Sequence, residues 1–465
     1  LIRSVSGIRG IVDPACGQEV TLTSDVARDV GRAFASYLHQ IDAPQRKGTR
    51  WLVAARDGRP GGHVLLEAFA DGAWECGARV INLGVTTTPT AGFAIGEFAG
   101  SLGAVAGVVI TASHNPQQWN GIKLLLGPGR APTSDEAARI FELLDDRAFV
   151  PVHVGNPPAH DAPPDAGDLH VQRVIQLVDR ERIGERGLRV VLDSVNGAGV
   201  RPGRMVLDAL GCQVTHLNDQ LEAGFGRNPE PTAENLKEFS QAVVQYGADV
   251  GFAQDPDADR LAIVDETGRY IGEEYTLALC AKHVFGTRPG AAVANLSTSR
   301  MIDDLAAEAG PPCVVRRSAV GEANVVQTMQ EVGAVLGGEG NGGVIDPRVV
   351  LVRDSISSMA MVLQLLADEG HSLSHIVDAI PRYSIVKHKL DLDRPSIDRS
   401  LHAVRQAFAD QRITDIDGVR IDWPEGWVHV RASNTEPIMR IIAEAKDESG
   451  AQALVGRVQE AIKTG

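Results

Sequence analysis

The chain has 465 residues, too many for one hydrophobic core, and should divide into about three or four domains. Hydrophobic residues make up 43% of it, with 49 glycines and 24 prolines, which suits an ordinary α/β protein. A net charge of −15 argues against sequence-independent binding to nucleic acid, which needs a basic face, yet permits small anions held by a local Arg or Lys cluster. Cys16, Cys76, Cys212, Cys280 and Cys313 are scattered, with no Cys-x-x-Cys spacing, as expected of free thiols in a reducing compartment. No apolar run approaches the roughly 18 residues of a membrane span. The opening LIRSVSGIRG lacks a signal peptide's apolar stretch, so the expected setting is cytoplasmic, without membrane or nucleic-acid partners.

From the start of the chain, SGIRG places Arg9 in a glycine-flanked loop, as an anion contact or a surface charge. WLVAARDGRPGG reads as a strand that ends in a small-residue loop, and RDGRPGG (56–62) reads as a structural turn. A helix follows in HVLLEAFADGAWECG, where Val64, Leu65, Ala68, Phe69 and Gly72 share a face. RVINLG is a second strand, and the small and β-branched run GAVAGVVI a third, buried one. That run opens into TASHNPQQWNG (111–121), where Pro116 prevents helical continuation. Ser113 and His114 are thereby placed on a loop at a strand's C-terminal end, where open α/β sheets bind their ligands. Lys123 follows closely in NGIKLLL.

The Pro-rich stretch GNPPAHDAPPDAGD (155–168) reads as a linker. The order strand, helix, strand, helix, strand then returns twice. GAVAGVV from Gly103, GADVGFA from Gly247 and GAVLGGE from Gly333 mark equivalent strands in three copies. From His371 the pattern becomes antiparallel, with strands in YSIVKHKLDL, VRIDWPEGWVHVRAS and IMRIIAEAK and helices in SIDRSLHAVRQAFAD and SGAQALVGRVQEAI. The expected fold is α/β: three related domains with mixed sheets (1–160, 161–257 and 258–371) and a C-terminal α+β domain (372–465) around a central cleft.

Each repeated strand opens into a loop with its own chemistry. QDPDADR carries Asp255, Asp257 and Asp259 at alternate positions, so in an extended loop the three carboxylates converge. Three like charges so close require a cation, and an all-oxygen donor set suits Mg²⁺ or Ca²⁺. An EF-hand is excluded: Arg260 stands where that loop needs glycine, and strands flank the segment where helices are required. GEGNGG (338–343) presents Glu339 and Asn341 among four glycines and can approach hydroxyl groups closely. RASNTEP (431–437) offers Arg431, Ser433, Asn434 and Thr435, donors suited to a phosphate monoester.

SGIRG, TASHNPQQWNGIK, DPDADR, GEGNGG and RASNTEP together, in this order, resemble the α-D-phosphohexomutase family along nearly the whole chain. The resemblance implies four domains around a cleft and interconversion of hexose 6-phosphates and 1-phosphates. Ser113 would carry a phosphoryl group, and Asp255, Asp257 and Asp259 with a phosphoserine oxygen would bind Mg²⁺. His114 or Lys123 would move the proton, while Arg9 and Arg260 would stabilise the transferring group. Glu339 and Asn341 would hold the sugar hydroxyls, and Arg431, Ser433, Asn434 and Thr435 the non-reacting phosphate. A hexose 1,6-bisphosphate would be the intermediate and activator, and the chain would be a monomer or homodimer. One departure stands out: many bacterial members read Gly-Glu-x-Ser-Gly-His in the sugar loop, whereas this chain has Asn341 and ends with Gly343. That form resembles the archaeal-type branch, so phosphoglucosamine is the expected substrate, ahead of glucose and mannose phosphates. A non-catalytic sugar-phosphate binder or metal scaffold is the alternative of another class.

Overall fold

The structure, a computed structural model, describes every residue except 6, 14–16, 42–49, 153–164, 434–437 and 465. The first sheet contains β1 (Ile2–Ser4), β2 (Gly7–Ile11), β3 (Arg50–Arg56), β4 (Ala78–Val85), β5 (Ala104–Ile110) and β6 (Trp119–Leu126), ordered β1-β2-β6-β5-β3-β4. β3 pairs in parallel with β4 and β5, and β6 returns antiparallel to β5. The second sheet repeats this with β7 (Arg189–Asp193), β8 (Gln213–Leu217), β9 (Val250–Gln254) and β10 (Leu261–Asp265), ordered β10-β9-β7-β8. The third has β11 (Ala291–Asn295), β12 (Val314–Ser318), β13 (Leu336–Glu339) and β14 (Gly343–Ile345), ordered β12-β11-β13-β14. In all three the final hairpin strand lies beside the third strand, the third beside the first and the first beside the second. The repeat expected from the Gly-Ala-x-x-Gly runs is therefore a repeat of topology.

The last sheet is wholly antiparallel, with β15 (Ser384–Asp391), β16 (Arg412–Thr414), β17 (Val419–Asp422), β18 (Gly426–Ala432) and β19 (Ile438–Ala445) ordered β15-β19-β18-β17-β16. Helices Arg394–Ala407 and Glu448–Thr464 pack on it, burying Val404, Leu454 and Val458 against Val428, Val430 and Ile441. Among the described residues no helix is long and apolar enough to cross a membrane. Cys76, Cys212, Cys280 and Cys313 are free; Cys16 lies outside the described residues.

The second and third domains share one core, in which Leu192, Phe252 and Ile263 cluster with Leu277, Met359 and Leu363. The helix Ser355–Glu369 makes this possible: Ser355 to Ala367 are buried on every face, as a helix with little polar surface requires. That shared core fixes the loop after β9 relative to the loop after β13.

Four expectations are corrected. Arg9 lies on β2, not in a loop, because Gly7 and Gly10 let this strand press against its neighbours: a Cβ on Gly7 would sit 2.1 Å from the Ile122 carbonyl oxygen. β10 pairs antiparallel with β9, so the second sheet extends beyond residue 257 and the aspartate loop is its hairpin. The end of the Pro-rich stretch is a helix start, where Asp165 accepts hydrogen bonds from the Gly167 and Asp168 N–H groups; the rest of that stretch, through 164, lies outside the described residues. Val64 is 44% exposed, although Leu65, Ala68, Phe69 and Gly72 are buried as their spacing predicts.

Candidate active site

The loop after β5 turns sharply at Ser113, whose φ of 51 places a non-glycine residue in the left-handed region. Such a conformation persists only where its surroundings over-determine it. Here they do: the Ser113 N–H donates to Thr111 Oγ1 at 2.9 Å, and Thr111 in turn donates to Asp57 Oδ2 at 2.6 Å. Arg59, 1% exposed, sits beneath the loop. It donates to the carbonyls of Ser113, of Asn115 at 2.7 Å, of Pro116 at 2.8 Å and of Trp119 at 3.0 Å, while its Nε donates to Asp57 Oδ2 at 2.9 Å. The serine is thus held by a buried ion pair that RDGRPGG supplies.

The loop between β9 and β10 brings Asp255, Asp257 and Asp259 together, each fully buried, with ligand atoms within 4.8 Å of one another. The carboxylates converge as expected, but through a turn with Ala258 at φ 55 instead of an extended run. Asp257 Oδ2 accepts from Thr88 Oγ1 at 2.7 Å, and Asp259 Oδ2 accepts from Lys123 Nζ at 3.0 Å and from Arg353 at 2.6 Å. Asp257 Oδ1 and Asp259 Oδ1 are buried without a hydrogen-bond partner. An orphaned anionic oxygen is costly, and two side by side fit a hard divalent cation. Ser113 Oγ donates to Asp255 Oδ2 at 2.9 Å, which joins the two loops into one site.

The charges around Ser113 sort themselves by their neighbours. Burial, with Asp259 and Asp257 beside it, pushes the Asp255 carboxyl well above the ordinary carboxylate range. Burial would raise Asp259 too, but Arg353, Lys123 and Arg260 hold it well below. Lys123 would be lowered by burial, yet Asp259, Glu322 and Asp257 outweigh that and keep its ammonium protonated. His114, with Nδ1 3.4 Å from Ser113 Oγ, is lowered to about 2 by burial and by the Arg260 and Arg9 charges, so it is neutral. Arg9 donates to Asn115 Oδ1 at 2.9 Å, and the Arg260 N–H donates to Asp255 Oδ1 at 3.1 Å.

Glu339, the last residue of β13, is 5% exposed. It accepts from Asn295 Nδ2 at 2.8 Å, the Gly321 N–H at 3.2 Å and Arg353 Nη1 at 3.0 Å. Asn341 turns its amide toward Glu339 Oε2 at 3.4 Å and its carbonyl toward the Gly343 N–H at 3.2 Å. In the fourth domain, Arg431 on β18 lies 3.1 Å from Asp417, which also accepts from the Val320 N–H at 3.0 Å. His429 bridges to Ser297 Oγ at 2.9 Å and is lowered to about 4 by burial, so it is neutral. The Ser433 N–H donates to the Ile438 carbonyl at 2.9 Å; Asn434 and Thr435 lie outside the described residues.

Models of the alpha/beta/alpha domains I, II and III of phosphoglucomutase/phosphomannomutase match residues 2–150, 168–268 and 273–383, and that of the C-terminal domain matches 389–461. The chain belongs to the phosphoglucomutase/phosphomannomutase family. It is an enzyme, a phosphohexomutase. It is 36% identical over 467 residues to a phosphoglucomutase/phosphomannomutase of Thermococcus kodakarensis, with 98% of each chain covered. A probable phosphoglucosamine mutase of Methanopyrus kandleri is 35% identical over 455 residues, covering 97% of this chain and 95% of the relative. The crystal structure of a phosphoglucomutase/phosphomannomutase family protein from Burkholderia thailandensis superposes with a TM-score of 0.84 at 28% identity, covering 100% of this chain and 97% of that one.

Sequence reasoning missed three residues that shape this phosphohexomutase site: Arg59, Thr88 and Arg353. For Arg59 a signal existed, since RDGR ends a parallel strand at the same sheet edge as TASHNP. Thr88 and Arg353 carry no local signal. Their partners lie 169 and 94 residues away and are set by domain docking.

Proposed function

We propose that this phosphohexomutase interconverts the 6-phosphate and 1-phosphate of a hexosamine, with phosphoglucosamine the preferred substrate, through a phosphoserine at position 113 and a bisphosphorylated sugar. The observation that carries the reading is Ser113 Oγ, 2.9 Å from a buried three-aspartate loop and held in a left-handed turn by an ion pair from its own domain. The name of the Methanopyrus relative supports phosphoglucosamine; the name of the Thermococcus relative supports glucose and mannose phosphates as the second reading.

In the transfer step the Ser113 Oγ–P bond breaks as a sugar hydroxyl oxygen bonds to phosphorus, and the hydroxyl proton leaves. Return of the other phosphate to Ser113 completes the exchange. His114 is the neutral group beside Ser113 and receives that proton. Its basicity is suppressed first by burial and then by Arg260 and Arg9, the two charges a phosphoryl dianion would engage, so phosphorylation would raise it. Lys123 stays protonated and stabilises negative charge. Asp255, Asp257 and Asp259 would hold a Mg²⁺ ion, which when bound draws charge from the phosphoryl group and steadies the serine as leaving group. Glu339 and Asn341 orient the sugar, and Arg431 and Ser433, with Asn434 and Thr435, grip the phosphate that is not reacting.

Ser113→Ala should lower turnover more than about 1,000-fold while sugar-phosphate binding persists. Mass spectrometry of the purified protein should find phosphate on Ser113 alone. Wild-type turnover in the variant, or phosphate on another residue, would overturn the assignment, and unaltered binding with no turnover in the wild type would favour a non-catalytic binder. The ratio of kcat/KM for glucosamine, glucose and mannose phosphates decides the substrate.

A further inference from the structure

We infer that Arg353 is a positioning residue that couples the sugar loop to the metal loop. This rests on reading Asp255, Asp257 and Asp259 as metal ligands. The Arg353 guanidinium is buried and divided among three carboxylates from two domains: Nη2 donates to Asp259 Oδ2 at 2.6 Å, Nη1 to Glu339 Oε2 at 3.0 Å, and Nε lies 3.0 Å from Glu322 Oε2. No other described side chain contacts both Glu339 and Asp259 in a hydrogen bond or ion pair. Because the planar guanidinium has a rigid fork, moving one arm moves the other.

The backbone around Arg353 is fixed against the same loops. Ser355 donates through its N–H at 3.2 Å and its Oγ at 2.7 Å to the Ala258 carbonyl, inside the metal loop. The Asp354 backbone N–H donates to the Val344 carbonyl at 2.8 Å, next to the sugar loop. The space Arg353 occupies is also prepared: a Cβ on Gly343 would lie 2.1 Å from Arg353 Cδ and 2.8 Å from its Cγ, so the stem passes where any other residue would place a side chain. Engagement of Glu339 by a ligand therefore changes how firmly Arg353 holds Asp259, and with it how strongly the aspartate loop attracts a cation.

A double-mutant cycle on the full chain tests this, read by Mn²⁺ binding in electron paramagnetic resonance without any sugar. Glu339 is not among the three aspartates, so Glu339→Gln reaches the cation through Arg353. With one carboxylate fewer to share, Arg353 neutralises Asp259 more fully, and Mn²⁺ affinity should fall about fivefold. In an Arg353→Met or Gly343→Ala background the same substitution should change affinity less than about twofold, while Arg353→Lys restores part of the difference. If Glu339→Gln acts equally with and without Arg353, or not at all, the coupling is refuted while the metal reading stands. Wild-type protein that binds no Mn²⁺ overturns both.

Discussion

Arg59→Met removes the cation beneath the serine loop without removing its bulk. The wild-type guanidinium satisfies Asp57 and four backbone carbonyls and stacks on Phe225 of the second domain at 4.8 Å from the ring centroid. Both members of the Asp57–Arg59 pair are 0% exposed at the side chain, so screening by solvent is absent. Removing one partner of such a pair costs about 3–5 kcal/mol, because the other charge stays buried. For a domain of this size that is a fall of roughly 10 °C in the melting temperature of the first domain, read by calorimetry. The loop would also lose its hold on Ser113, and kcat should drop about 100-fold. The deficit depends on pH. Burial already raises the Asp57 carboxyl, with Arg59 and Thr111 pulling it back, and losing Arg59 raises it further. A raised folded value makes the folded chain bind a proton more readily, so the deficit should shrink as pH falls from 8 towards about 5. Adding Asp57→Asn to the variant removes the stranded charge and should recover part of the melting temperature but little of kcat. A single variant within about 2 °C and twofold of wild type would refute the reasoning.

Thr88→Val deletes the 2.7 Å hydrogen bond that fixes Asp257 from the first domain, and Mn²⁺ affinity should fall about 10- to 100-fold. Burial would raise Asp354, but the His170 contact at 3.1 Å, Ser357 and the Ile356 N–H hold it below the ordinary value. The stability it contributes is present above the unfolded value near about 4 and is lost as pH falls through the folded one, so acid titration should lower the urea midpoint of wild type more steeply than that of Asp354→Asn. Gly342 sits at φ 82 with its would-be Cβ 2.6 Å from the Leu261 carbonyl oxygen, so Gly342→Ala should distort the sugar loop and raise KM for every substrate while leaving Mn²⁺ affinity within about twofold. Equal KM values would show that the loop tolerates the side chain.

Much of this architecture is written locally. Gly-Ala-x-x-Gly runs mark the third strand of each of the three related units, and the polar residues after them reach the site because strand ends and loops are short-range features. What escaped the sequence is long-range. Nothing near Leu261–Asp265 says that it joins the second sheet and not the third, since a strand's partner depends on the hairpin turn, here the left-handed Ala258. Thr88 and Arg353 are ordinary residues at a helix start and a loop until docking aims them at the aspartates. The glycine noted at position 343 gains a physical reason only in three dimensions, as the space through which Arg353 passes.

The distribution of charge explains why this site needs three of the four domains. Within the second domain, Arg260 is the described cation paired with this aspartate loop, its Nε 3.9 Å from Asp259. The first domain adds Lys123, 3.0 Å from Asp259 and 3.9 Å from Asp257, and also Arg9; the third adds Arg353. Alone, the loop would bury three carboxylates against one guanidinium, an arrangement that desolvation makes unfavourable. Docking supplies three more cations, yet Glu322 and Glu339 arrive with Arg353, so five carboxylates face four cations and two aspartate oxygens have no hydrogen bond. A divalent ion would answer that residual charge, and a phosphoryl group on Ser113 would then find cations from all three domains around it. The serine is placed by one domain, but the leaving-group chemistry proposed for it would draw on groups from three.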